Sequence, residues 1–225
     1  MRGTTMKTHS CSFFMRLMVI LIPILLLSGC FTRTKPYYMV EQYTLEYNPP
    51  VIQGTIALDE LMKVERFSVA QSFNSTAMVY KPDLFKLAIY NYSRWRVNPG
   101  DLVTDYLFRD LRNAGIFRAV FSYRDAETTR FILEGGIEEF LELDEQNSAK
   151  AMLSISVVLL DLSEKEITRK VLFQKGYRFS EPLKERTAEG LARGMSNAMA
   201  RFSEQLVKDI HSAVKNRVTR RVEKN

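Results

Sequence analysis

The chain has 225 residues, 46% hydrophobic and 26% charged, with a formal net charge of +6. That composition excludes an intrinsically disordered chain, which pairs few apolar residues with a high net charge, and it supplies enough apolar side chains for a buried core. A sequence pI near 9.3 raises nucleic-acid binding, but three N-terminal residues, Arg2, Lys7 and Arg16, carry half of the positive excess, and the near-balance of the rest argues against a nucleic-acid partner.

Those three basic residues precede an apolar run from Leu17 to Leu27, interrupted only by Pro23. About 11 residues are too few to span a bilayer as a helix, which takes about 20. The run fits the apolar region of a secretory signal. It ends in Leu27-Ser28-Gly29-Cys30, which resembles the lipobox of bacterial lipoproteins. A thiol is a strong nucleophile for taking a diacylglyceryl group, and the small residues before it fit a narrow protease cleft. The plain alternative is a buried cysteine after an ordinary signal peptide. The expectation is cleavage before Cys30, which then carries diacylglycerol and an N-acyl chain; several acyl chains give stable anchoring. Cys11 leaves with the signal, so the mature chain has no partner for a disulfide. Phe31 follows the cysteine, where Asp would hold an enteric lipoprotein at the inner membrane, so the outer membrane is expected.

The predicted organisation is a signal peptide over 1–29, a lipidated tether over 30–36 and one domain over 37–225. Tyr37 to Tyr47 alternates, with Tyr43, Leu45 and Tyr47 on one face, and Asn48-Pro49-Pro50 stops it. Thr55 to Ala70 reads as a second strand, irregular around Asp59-Glu60. Short extended pieces follow at Ala77–Tyr80 and Leu84–Tyr90. Asn98 is a good N-cap, with Pro99 at the first helical position and Asp101 in the first turn. Leu102, Tyr106, Leu107, Leu111 and Ala114 recur at helical spacing until Gly115 stops the helix. Ile116 to Phe121 is a strand leaving it.

Phe131, Leu133, Gly135 and Ile137 form one face of the next strand. Leu153, Ile155, Val157 and Leu159 form one face of another, and Ile167, Val171, Phe173, Tyr177 and Phe179 a third. Polar turns at Asp144–Ser148 and Ser163–Lys165 make these an antiparallel meander. Leu191, Met195, Met199, Phe202, Leu206, Ile210 and Val214 then mark one stripe of a long closing helix. The predicted fold class is α/β in the α+β sense: a mainly antiparallel sheet with two helices packed on one face.

Chemistry is sparse. Beyond the signal the only histidine is His211, so neither a Cys/His metal site nor a Ser-His-Asp triad with a nucleophile elbow is in view. No cofactor is expected, no metal ligands are assigned, and the reading is non-enzymatic. Gly135-Gly136 lies inside a strand and reads as close backbone packing. Glu134, Glu138, Glu139 and Glu142 alternate with apolar residues and read as a solvated sheet face. The cluster Lys215, Arg217, Arg220, Arg221 and Lys224 reads as a solvated helix end that complements the helix dipole, with anionic headgroups as the functional alternative. Arg94-Trp95-Arg96 is the candidate partner interface, since Trp and Arg are common interface anchors; its bland alternative is Trp95 in the core with the arginines facing water.

Taken together, Tyr43-x-Leu45 soon after a lipobox, Met78-x-Tyr80, Arg94-Trp95 ahead of Pro99, Gly115-x-Phe117 and Phe131-x-Leu133-x-Gly135-x-Ile137-x-x-Phe140 resemble the ABC-type transport auxiliary lipoproteins, over roughly Tyr38 to Ile210. The resemblance implies a compact α/β domain anchored in the outer membrane and facing the periplasm. It implies a non-catalytic part in an MCE-type intermembrane lipid transport system, with an MCE-domain protein and an inner-membrane ABC transporter as partners. PqiC-like members assemble as rings, so a homo-oligomer is expected. The reading from another class is an envelope-assembly or pilot lipoprotein for an outer-membrane protein.

Overall fold

In the computed structural model, which describes residues 38–52 and 57–222, the unit from Met39 onward is organised around one long strand. That strand, β7 (Phe131–Asp144), pairs antiparallel with β8 (Ala149–Asp161), which pairs antiparallel with β9 (Val171–Pro182). This is the meander that the alternation predicts. The opposite edge of β7 is shared by three short strands in succession, all parallel to it. β2 (Leu58–Val64) lies beside Phe131–Leu133, β3 (Ser68–Val69) beside Gly136–Ile137, and β4 (Ala77–Asp83) beside Glu142–Leu143. β5 (Lys86–Trp95) folds back antiparallel on β4, β1 (Glu41–Tyr43) runs parallel to its end, and β6 (Phe117–Ser122) runs parallel to β2. The antiparallel pairs are the longer ones, as expected. The parallel pairs join segments far apart in the chain, so no local pattern announces them.

α1 (Pro99–Asn113) begins as its sequence dictates: the Asn98 side chain accepts from the Gly100 N–H at 2.8 Å, and Pro99 fills a position that needs no donor. Gly115 follows it at φ 63°, a left-handed conformation that glycine adopts without penalty. α3 (Ala188–Val222) buries every predicted stripe residue from Leu191 to Val214 completely. Phe202 meets Tyr177 edge-on at 5.2 Å between ring centroids. The two long helices share one face and are tied there: Asp110 of α1, fully buried, accepts from Ser203 of α3 at 2.6 Å and from Tyr47 at 2.7 Å. A buried carboxylate is tolerated only with such partners, and the Arg109 guanidinium, 2.8 Å away, adds the opposite charge.

Several boundaries differ from the expectation. The predicted strand to Tyr47 shortens to β1, because the chain beyond it spends its polar groups on the helices: Glu46 N–H donates to Ser196 Oγ, and Tyr106 donates to the Leu45 carbonyl. The irregularity expected at Asp59-Glu60 is a register shift between Leu58 and Leu61. β5 runs on to Trp95, past the expected end at Tyr90. Ile167 does not face the core; it is 79% exposed on a single helical turn, α2 (Ile167–Lys170), where the Arg169 and Lys170 amides turn back to the Glu166 carbonyl. Gly135 is a packing glycine as read: a Cβ there would stand 2.3 Å from a ring carbon of Phe67.

Candidate functional site

Cys30 lies outside the described residues. Of the Arg94-Trp95-Arg96 segment, Trp95 is 1% exposed. Its indole packs edge-on against Phe140, and the Trp95 backbone N–H donates to the Thr76 carbonyl at 2.7 Å. Strand alternation turns Ser93 and Trp95 inward. The expectation of an exposed tryptophan anchor is therefore corrected: a partner cannot reach this ring in the folded domain. Arg94 is spent locally on the Tyr90 and Ser93 carbonyls at 2.5 and 2.8 Å, and Arg96, which is exposed, reaches Gln42 on β1.

Glu142 requires a second correction. It is 1% exposed, whereas alternation along β7 would place it on the solvated face with Glu134 and Glu138. A bulge between Ile137 and Glu139 moves the register by one residue. Phe140 and Glu142 then turn toward the face that Ile137 occupies, and Leu141 and Leu143 turn to the other. Tyr90 donates to Glu142 at 2.7 Å and packs on Tyr80 at 5.3 Å. Burial pushes the Glu142 carboxyl up to about 7, with Asp144 adding to the rise and the Tyr90 hydrogen bond and Arg186 opposing it. The same burial and hydrogen bond push the Tyr90 hydroxyl up. The apolar residues after Ile137, namely Phe140, Leu141 and Leu143, fall on both faces of a regular strand, so alternation does not locate the bulge.

On the opposite face, Leu141 and Met152 floor a hollow of about 400 Å³, walled by the β4–β5 hairpin residues Leu84, Phe85 and Leu87. At the hairpin turn Phe85 is, at 92%, the most exposed large apolar side chain among the described residues, and Leu84 beside it is 67% exposed. Leu84-Phe85 contains none of the Gly, Asn, Asp or Pro residues that mark a turn, so the sequence pattern does not announce the hairpin.

Another buried carboxylate ties elements of the fold together. Asp161, fully buried, accepts a two-pronged hydrogen bond from Arg130 at 3.0 Å per contact and others from Ser163, and Arg217 comes within 3.4 Å. Burial works against its ionised form, but the Arg130 and Ser163 hydrogen bonds outweigh it and hold the carboxyl below its ordinary range. Arg217 thus leaves the predicted solvated cluster to tie the end of α3 to the β8 turn, while Lys215, Arg220 and Arg221 are exposed and Lys224 is outside the described residues. His211 is half-buried late on α3. Among the described residues no three His, Cys, Asp or Glu side chains gather as metal ligands, and no helix is long and apolar enough to cross a membrane.

The family model of the ABC-type transport auxiliary lipoprotein component matches residues 43–207. The fold is similar to that of a solved Xanthomonas campestris protein, XCC0632, of the DUF330 family model: TM-score 0.69 at 15% identity, covering 80% of this chain and 99% of that one. A solved structure titled only as an uncharacterized protein is similar at TM-score 0.61 and 12% identity, covering 76% of this chain and 99% of the other. At these identities the likeness is one of fold. Among curated proteins none matches the chain.

Proposed function

The chain belongs to the family of ABC-type transport auxiliary lipoprotein components, and from that membership we propose that it is an outer-membrane-anchored, periplasm-facing, non-catalytic part of an MCE-type system that moves lipid between membranes. The observation that carries this reading is the family match across 43–207, downstream of a basic leader, an apolar run and Leu27-Ser28-Gly29-Cys30. In this reading Cys30 carries the acyl chains that hold the domain at the membrane, no cofactor is used, and the domain acts by docking on an MCE-domain protein and by assembling with its own copies as a ring.

The fates of the buried polar groups support a docking role. Asp110 joins the two long helices, Asp161 joins β8 to Arg130 and α3, and Glu142 joins β7 to β5. Each is engaged in holding elements of the fold together. The test is lipid exchange between the membranes of cells lacking the chain, followed with pulse-labelled phospholipid. Slowed exchange, restored by the wild-type gene and not by Cys30→Ala, is the expected result. Unchanged exchange with a failure to assemble an outer-membrane channel would favour the pilot-lipoprotein reading instead.

A further inference from the structure

We propose that the tip of the β4–β5 hairpin, Leu84 and Phe85 with Leu87, is a lipid-bilayer contact that seats the domain on the membrane holding its anchor. This inference rests on the reading of Cys30 as the acylated residue.

The first observation is the choice of turn residues. β4 ends at Asp83 and β5 starts at Lys86, with the two cross-paired, so the loop is the two residues Leu84 and Phe85. Two-residue hairpin loops draw on Asn, Asp and Gly because their backbone must enter conformations that branched and bulky side chains resist. Leu-Phe goes against that chemistry, and the fold covers little of the two side chains in return, which are 67% and 92% exposed. Leu87, at 50%, extends the apolar surface down β5. An aromatic and two leucines raised on a hairpin, with Lys81 beside them and Lys86 in an exposed pair with Asp83 at 3.9 Å, suit the boundary between acyl chains and headgroups, where apolar side chains sink in and charged groups stay at the surface.

The second observation is independent and concerns where the anchor attaches. β1 runs parallel to β5, with Glu41 beside Ser93 and Tyr43 beside Trp95. The chain entering β1 therefore arrives from the hairpin end of β5, not from the Trp95 end. Ser93 lies seven residues from Lys86, about 23 Å along a strand. The ten residues between Cys30 and Glu41 reach about 35 Å when extended. An acylated Cys30 thus has the reach to place its lipids at the hairpin tip, and Met39 and Val40, at the end of that tether, are themselves 75% and 47% exposed. Among the described residues no strand pairs with Lys86–Tyr92 on the side away from β4, which makes a second copy of the chain the competing occupant. Added strands satisfy backbone groups, however, and would not call for Leu-Phe in the turn itself.

Once Cys11 has left with the leader and Cys30 is acylated, Phe85→Cys supplies the only free thiol for an environment-sensitive fluorophore on the full mature protein. The protein is reconstituted in vesicles of phosphatidylethanolamine and phosphatidylglycerol with doxyl-labelled lipid, and Gln205→Cys, exposed on α3, is the comparison. The expected result is a blue-shifted emission at position 85 that doxyl lipid quenches, with neither effect at 205. An acylated, vesicle-bound protein whose label at 85 remains in water overturns the hairpin contact and leaves the anchor standing. A blue shift that grows with protein density and that doxyl lipid does not quench assigns the tip to a second copy, and also overturns it. Protein that lacks acyl mass and stays off the vesicles overturns both readings.

Discussion

Trp95 meets Phe140 edge-on, with ring centroids 5.2 Å apart and planes at 68°. The contact joins the last residue of β5 to β7, the strand on which the sheet is built. It stands on the bulge before Phe140, since without that shift the phenyl ring would leave the inner face. Trp95→Ala should therefore cost about 3–5 kcal/mol of stability, read as a lowered unfolding midpoint in denaturant. Arg96→Ala, at an exposed position, should stay within about 0.5 kcal/mol. An unchanged midpoint for Trp95→Ala would return the indole to the surface.

The tie between the long helices gives a second expectation. Asp110 is fully buried and Ser203 is one of its donors. Ser203→Ala removes that donor and leaves the carboxylate short of a partner, at a cost of about 1–3 kcal/mol. Asp110→Ala should cost more, as it strands the Arg109 charge and the Tyr47 hydroxyl together. Because the residues share one network, the double variant should destabilise by less than the sum of the two. Additive losses would mean that the helices are held independently.

Glu142 sets a pH dependence. Its carboxyl rises from an ordinary 4.5 to about 7, by burial first and the neighbouring Asp144 next. The folded protein keeps a proton that the unfolded chain releases between those values. The group's contribution is complete below pH 4.5 and is lost as the pH climbs through about 7. Thermal melts should fall between pH 5 and pH 8, and Glu142→Gln should flatten that slope. Asp161 acts in the opposite sense, but its carboxyl is held below the ordinary 3.8, outside this window. Parallel slopes for wild type and Glu142→Gln would contradict the assignment.

What was legible in the sequence follows from what is local. The cap at Asn98, the stop at Gly115 and the stripe from Leu191 to Val214 depend on neighbours within a few turns, and each lies where its spacing puts it. The meander was readable because short polar turns leave little choice of partner. The parallel strands along β7 were not, since β2, β3 and β4 find it across long stretches of chain. The same limit hid Glu142 and left Trp95 open between core and interface. A bulge of one residue exchanges the faces of everything after it, and alternation counted from Phe131 carries no warning of where that occurs.

The central claim, that an acylated Cys30 chain serves an ABC-type lipid transport system through an MCE-domain protein, is tested most directly by purification from a mildly solubilised, crosslinked envelope. The tagged wild-type chain should carry acyl mass on Cys30, sediment with the outer membrane, and bring down the MCE-domain protein in a fixed ratio. Cys30→Ala should remain an uncleaved precursor and lose that partner. Acylated wild-type protein that copurifies with an outer-membrane channel and with no MCE-domain protein would contradict the account.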